Sequence, residues 1–238
     1  MASPRDRGGP TPDPLSGTFV VVPAFNEEEV VRSTVEGLLR LGVHVVLVDD
    51  CSTDETVERI YDLPISVLHH AANMGQGSAL RTGIAYALRR GAEIVVTFDA
   101  DGQHDPDDVP RLVDTLLDKD LDVVVGSRFL GEASNMGRLR KGMLLTAVLI
   151  TRLTSGLPIT DVHNGLRVFR ASSVARLRIT SHRMAHASDI LSEIARKKLR
   201  FAEAPTTVRY TPYSKKKGQS ALDALDVVYE LLLGRMFL

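Results

Sequence analysis

Cysteine is almost absent: Cys51 stands alone among 238 residues. That excludes an intrachain disulfide and a cysteine metal cage. It suits a reducing compartment, so the expected location is cytoplasmic. An excess of charge of one sign is lacking too. Lys and Arg number 29 against 30 Asp and Glu, a formal net charge of -1. No overall field then draws the chain to nucleic acid, and any electrostatic recognition must be local. Long apolar runs are missing: nothing approaches the ~20 residues of a membrane span, and the longest candidate, Gly142 to Ile150, is too short. The opening MASPRDRGGPTPDPLSG has no apolar segment of signal-peptide type, so residues 1–17 read as a disordered tail. The histidines show no H-E-x-x-H or similar spacing and read as structural.

What is present is an ordinary globular balance, 44% hydrophobic and 25% charged, in a chain long enough to bury a real core. Short apolar runs alternate with helical patterns. Strands are expected at TFVVV (18–22), VHVVLV (43–48), ISVL (65–68), EIVVTF (93–98) and LDVVVG (121–126). Between them, Glu27 to Leu41 carries Val31, Val35, Leu38 and Leu39 on one helical face. Ser52 with Glu55 forms a capping box that predicts a short helix. Gly75 to Arg90 is helical, and Pro106 suits the first turn of a helix to about Leu117. Continuously apolar strands separated by helices predict an α/β domain over 18–222, with a mostly parallel central sheet and helices on both faces. Beyond Gly126 come a basic, glycine-containing stretch (127–141), the apolar helix GMLLTAVLITRL and the segment DVHNGLRVF. A helix around Ser188 to Lys198, a strand LRFAEAPTTVRY, a basic loop TPYSKKKGQS and an amphipathic C-terminal helix over 223–238 complete the chain.

Ligands of such sheets bind at the carboxyl ends of the strands. Asn26-Glu27, Asp49-Asp50, Asn73 and Asp99/Asp101 each follow a predicted strand, so four polar clusters converge on one rim. Asp99 and Asp101 stay ionised side by side cheaply only with a cation between them. An all-oxygen set, with Gln103 two residues on, favours Mg²⁺ or Mn²⁺ bridging to substrate phosphates. The plain alternative is that these aspartates only close turns and cap helices. Ser52 and Asp54 are accounted for by capping, which leaves Asp49 and Asp50 over; a carboxylate there would accept hydrogen bonds from a base or a ribose. NMGQGSALRTG (73–83) offers glycines ahead of a helix, for a phosphate or for close helix–sheet packing. It matches neither G-x-G-x-x-G nor the P-loop pattern. His104 reads as a turn cap.

In order along the chain, PAFNEE, VDDCSTDET, NMGQGSALRTG, DADGQHDP, VVGSR, DVHNGLR and YSKKKGQS resemble the motifs of family 2 glycosyltransferases with the GT-A, Rossmann-like fold. The resemblance is strongest to the dolichyl/polyprenyl-phosphate mannose synthase branch and covers about residues 18–222. It implies an inverting transfer from a nucleotide-diphosphate sugar, assisted by Mg²⁺ or Mn²⁺. The implied nucleotide-sugar site comprises Pro23, Ala24, Phe25, Glu27, Val48, Asp50, Asp99, Ala100, Asp101 and Arg128. The implied metal ligands are Asp99, Asp101 and Gln103. Arg128 lies near the donor and acceptor phosphates, Arg138 or Arg140 matches a second acceptor-phosphate arginine, and Asp161 matches an active-site carboxylate. The late loop departs from the branch: the nearest basic matches are Arg209 and Lys215 to Lys217, and Ala221 stands where a lysine is expected.

The expected acceptor is a polyprenyl phosphate, whose oxygen is already anionic; a hydroxyl acceptor would instead need Asp161 as a base. The apolar stretch 142–150 and the final helix read either as core or dimer contacts, leaving self-association open, or as helices docked on a membrane surface. The rival readings are a sugar nucleotidyltransferase, a haloacid-dehalogenase-type phosphatase and a non-catalytic scaffold. The acidic PAFNEEE argues against the first, and Gly102-Gln103 after the D-x-D argues against the second.

Overall fold

The computed structural model describes residues 15–134, 136–180, 186–211 and 213, with only the backbone at 138–140 and 154. The strands are β1 (Thr18–Ala24), β2 (His44–Asp49), β3 (Ser66–His69), β4 (Ile94–Thr97), β5 (Val123–Ser134), β6 (Arg167–Arg170) and β7 (Phe201–Arg209). They form one sheet in the order β3-β2-β1-β4-β6-β5-β7. β6 runs against both neighbours, β4 and β5; the other pairings are parallel. The helices are α1 (Val31–Leu39), α2 (Gln76–Arg89), α3 (Asp108–Asp118), α4 (Arg138–Ser155), α5 (Ala171–Val174) and α6 (His186–Arg196).

Strands buried on both faces have no reason to alternate polar and apolar residues, and β1 shows this. Val20 and Val22 face a core with Val31, Leu38, Leu112 and Leu116, from α1 and α3. Val21, between them, faces the opposite core with Leu80, Ile84, Ile190 and Leu191, from α2 and α6. α4 adds Val148 to that second core. α2 lies so close that a Cβ on Gly83 would stand 2.3 Å from Val21 Cγ1, so only glycine fits there.

The five expected strands of the first half are present. Three differences from expectation bear on the site. α1 begins at Val31, because Glu27 to Val30 form a turn in which the Val30 and Val31 amides both donate to the Glu27 carbonyl. The helix expected at Ser52 is replaced by turns and a single 3₁₀ turn at Glu58–Ile60. Finally, β6 has no counterpart among the expected strands. Because β6 is antiparallel, its first residue, Arg167, pairs with Thr97 at the carboxyl end of β4 and with Val125 in the first half of β5. The segment 161–166 is thereby delivered to the same rim. Residues 15–17 form a turn closed by the Thr18 amide on the Leu15 carbonyl. The remainder of the expected tail, the basic loop 214–220 and the C-terminal helix lie outside the described residues.

Candidate active site

The end of β1 and the loop after β2 are laced together by hydrogen bonds. Ser52 Oγ accepts from the Asn26 amide at 3.0 Å and Thr56 Oγ1 from the Glu27 amide at 2.7 Å. In return Asn26 Oδ1 accepts from the Thr53 amide at 2.8 Å, and Glu28 from the Glu55 amide at 3.1 Å. The Ser52 hydroxyl is therefore spent on another strand's loop, which is why the capping box does not form. Tyr213 adds a contact from the far end of the fold, its hydroxyl 2.8 Å from Glu27 Oε2. Pro23, Ala24 and Val48 are buried at the strand ends, whereas Phe25 is 38% exposed on the rim.

Asp50, directly after β2, is buried and takes three donors. Oδ1 lies 2.7 Å from His70 Nδ1 and accepts from the Met74 amide at 2.9 Å; Oδ2 accepts from the Gly75 amide at 2.7 Å. Gly75 has φ +86°, a backbone state open to glycine, and this turn brings the two amides onto one carboxylate.

Asp99 and Asp101 follow β4. Asp99 Oδ1 accepts from Gln76 Nε2 at 2.8 Å, and Oδ2 lies 3.3 Å from His104 Nε2. Burial raises the Asp99 pKa, but the His104 hydrogen bond and the charges of His104, His186 and Arg167 outweigh it and hold the group below the ordinary carboxylate value. Asp101 lacks such support: burial and the charge of Asp99 push it up to about 6. Its partners are the Gln103 amide at 3.0 Å and Gln103 Nε2 at 2.7 Å. Ala100 between them is buried.

Asp99 leans on Gly165, where a Cβ would lie 1.9 Å from Oδ2. Gly165→Ala is therefore expected to lower stability by ~1–3 kcal/mol through overpacking, read as a fall in the urea midpoint. An unchanged midpoint would mean that Asp99 swings aside without strain.

On the other side of β4, Arg128 of β5 is clamped in place. Its Nε lies 2.6 Å from Asp161 Oδ2, Nη1 donates to Tyr210 Oη at 2.5 Å and Nη2 to the His163 carbonyl at 2.6 Å. Asp161 is 0% exposed, and Oδ2 also accepts from the Arg128 amide at 3.1 Å. Asp161 Oδ1 is buried without a hydrogen-bond partner among the described residues. Burial holds the nearby His163 neutral, its pKa down to about 4. Arg140 lies in the first turn of α4, as does Arg138; their side chains lie outside the described residues. Arg209 pairs with Asp105 at 2.6 Å.

The rim thus brings together the ends of β1, β2 and β4 with Arg128 and Asp161. Sequence reasoning did not single out His70, Gln76, Gly165, Arg167 or Tyr210. The signal for His70 was its place just beyond the third strand; Gln76 lies inside the motif NMGQGSALRTG and Gly165 and Arg167 inside DVHNGLR, where none was given a role, and Tyr210 acts through a tertiary contact with no local pattern.

Residues 19–178 match the family described as glycosyl transferase family 2. A UDP-N-acetylglucosamine–dolichyl-phosphate N-acetylglucosaminyltransferase of Methanococcus voltae is 31% identical, over 92% of this chain and 96% of its own length. An undecaprenyl-phosphate mannosyltransferase of Micrococcus luteus is 33% identical, over 79% of this chain and 82% of its own. Among solved structures, glucosyl-3-phosphoglycerate synthase of Mycobacterium tuberculosis, in complex with Mn²⁺, UDP and glucosyl-3-phosphoglycerate, superposes with a TM-score of 0.70. It is 20% identical and covers 98% of this chain and 86% of that one. The nucleotidyltransferase, phosphatase and scaffold readings fall away, and the chain belongs to glycosyl transferase family 2, as a glycosyltransferase of the GT-A fold.

Proposed function

We propose that this enzyme transfers a sugar from a nucleotide-diphosphate sugar to a polyprenyl phosphate, with inversion at the anomeric carbon. The observation that carries the choice of acceptor is the state of Asp161. It is fully buried and its Oδ2 is engaged by Arg128, which suits it poorly to deprotonate a hydroxyl. A phosphate oxygen needs no base. Attack by that oxygen forms the new C1–O bond as the bond from C1 to the diphosphate breaks, and the nucleoside diphosphate leaves. The names of the Methanococcus and Micrococcus relatives, both transferases to a lipid phosphate, support the same acceptor.

Asp50 would meet the nucleoside, with Phe25 and Glu27 beside it, and Arg128 the phosphates. A divalent cation fits the carboxylates that follow β4. Among the described residues no three His, Cys, Asp or Glu side chains converge as a ready-made cage. Mg²⁺ and Mn²⁺ are commonly held by one or two carboxylates with substrate phosphates completing the shell. Asp99, Asp101 and the Gln103 amide oxygen would supply the protein's share, and the raised pKa of Asp101 reflects burial first and then the charge of Asp99, a repulsion that a cation relieves. Bound there, the ion would stabilise charge on the departing diphosphate.

The membrane half of the reading rests on α4. No helix among the described residues is long and apolar enough to cross a membrane. Leu145, Leu149 and Leu153 are 47%, 58% and 77% exposed. Spaced by four, they form one stripe, which the buried Val148 flanks on one side, with exposed Lys141 one turn ahead. A contiguous apolar stripe of this kind marks an interaction surface, and with a basic end it suits a helix lying in a lipid interface. Peripheral attachment at the cytoplasmic face would bring the lipid phosphate to Arg128.

Purified enzyme with liposomes, with and without polyprenyl phosphate, tests this reading. The expected result is flotation with the vesicles and sugar transfer only when the lipid phosphate is present. Replacing Leu145, Leu149 and Leu153 by Ser should abolish flotation. Efficient transfer to a soluble hydroxyl acceptor, with no lipid product and no flotation, would refute the acceptor and membrane assignments together.

A further inference from the structure

The structure assigns His70 and Thr82 a positioning role: together they fix the Asp50 carboxylate in the orientation that receives the nucleoside. This inference rests on the reading that Asp50 meets the nucleoside. His70 follows β3, its side chain 9% exposed. Its Nδ1 lies 2.7 Å from Asp50 Oδ1, and its Nε2 lies 2.9 Å from Thr82 Oγ1 on α2. Both ring nitrogens are thus engaged. A carboxylate only accepts, so the contact with Asp50 is made by a proton on Nδ1, and the Thr82 hydroxyl, able to donate or accept, completes Nε2.

A carboxylate offers about four acceptor positions. On Asp50, Oδ1 takes His70 and the Met74 amide, and Oδ2 takes the Gly75 amide. One position on Oδ2 is left, and its direction is set by the bonds that stop the carboxylate turning. The two amides come from one turn, whereas His70 approaches from β3 and is braced on α2. Without it the carboxylate is held from one side and turns toward other donors. A ring N–H of a base would then meet a poorly aimed acceptor. The contact acts before chemistry, so its loss raises the KM for the donor and leaves kcat at saturating donor nearly unchanged.

The test uses the full chain and isothermal titration with UDP, GDP, ADP and CDP in Mn²⁺, beside donor KM, kcat and thermal unfolding. The wild type should favour one base. His70→Ala and Thr82→Val should weaken that nucleotide about 10-fold, the loss of roughly one hydrogen bond to a charged group, and narrow the preference among bases. His70→Asn, which keeps an N–H near the Nδ1 position, should restore most of the affinity. A merely structural His70 would lower the melting temperature without changing base preference, and that outcome overturns the assignment. Asp50→Ala separates the two layers. If it binds weakly while His70→Ala and Thr82→Val bind normally, the positioning role falls and the nucleoside reading stands. If Asp50→Ala itself binds normally, both fall. If His70→Ala does not fold, Thr82→Val and His70→Asn still decide.

Discussion

Asp101→Ala should abolish sugar transfer and leave the fold intact. The residue lies beyond the end of β4, partly buried, and among the described residues its hydrogen bonds go only to Gln103. No core packing is lost when it is shortened. In the free protein its charge is a liability: burial and Asp99 already push its pKa up to about 6. Removing it relieves that repulsion, so stability should hold or rise slightly. Transfer should fall by roughly 10²–10³ or more, the usual loss when one electrostatic partner of a transition state is deleted. Asp101→Asn keeps the shape and loses the charge, and should fail as badly. Initial rates in Mn²⁺, in Mg²⁺ and in excess chelator, beside a urea unfolding curve, make the check. A variant as active as the wild type, or a wild type indifferent to chelator, would remove the metal from the mechanism. A variant that is inactive because it is unfolded would contradict the placement of Asp101 outside the core.

The parts of the fold that were legible are those where burial is double-sided. Val20 to Val22, Val45 to Val48 and Ile94 to Val96 are buried throughout, and a short uninterrupted apolar run bounded by turn residues points to a strand covered on both faces. β6 escaped for the opposite reason. It is four residues long and opens with Arg167, 1% exposed and still cationic, its pKa lowered by burial to about 10. A buried arginine reads from sequence as a surface residue. Its direction was hidden as well, since antiparallel insertion between β4 and β5 is a tertiary choice. The same limit applies to Ser52. The spacing to Glu55 is right for a capping box, but the hydroxyl goes to the Asn26 amide, and no local rule foresees a partner 26 residues away. The aspartates of the rim were legible as chemistry because each follows a strand. The groups that orient them, His70 on Asp50, Gln76 on Asp99 and Tyr210 on Arg128, come from other elements and become visible only when those elements meet.

Asp161→Ala should be the most destabilising change in the site. Asp161 and Arg128 are a buried pair, 0% and 7% exposed, joined at 2.6 Å. Deleting one partner leaves an uncompensated buried charge, which costs about 3–5 kcal/mol, a large share of the roughly 5–15 kcal/mol that holds a domain folded. Tyr210 and the His163 carbonyl still take two guanidinium donors, so the loss should fall short of unfolding. The backbone amide of Arg128 also loses its acceptor. Asp161→Asn keeps an oxygen for that amide and removes only the charge, so it should be milder. A double-mutant cycle with Arg128→Met measures the pair directly. With both charges gone, much of the stability should return, whereas transfer should not, because Arg128 is the group proposed to meet the phosphates. That split separates positioning from proton transfer. A base acting on a hydroxyl predicts a collapse of kcat with little change in unfolding free energy. A clamp for Arg128 predicts loss of both in the single variant and recovery of stability alone in the double. A single variant that loses less than about 1 kcal/mol would mean that Arg128 finds another counter-charge, and the case for a phosphate acceptor would then have to rest on the lipid assay.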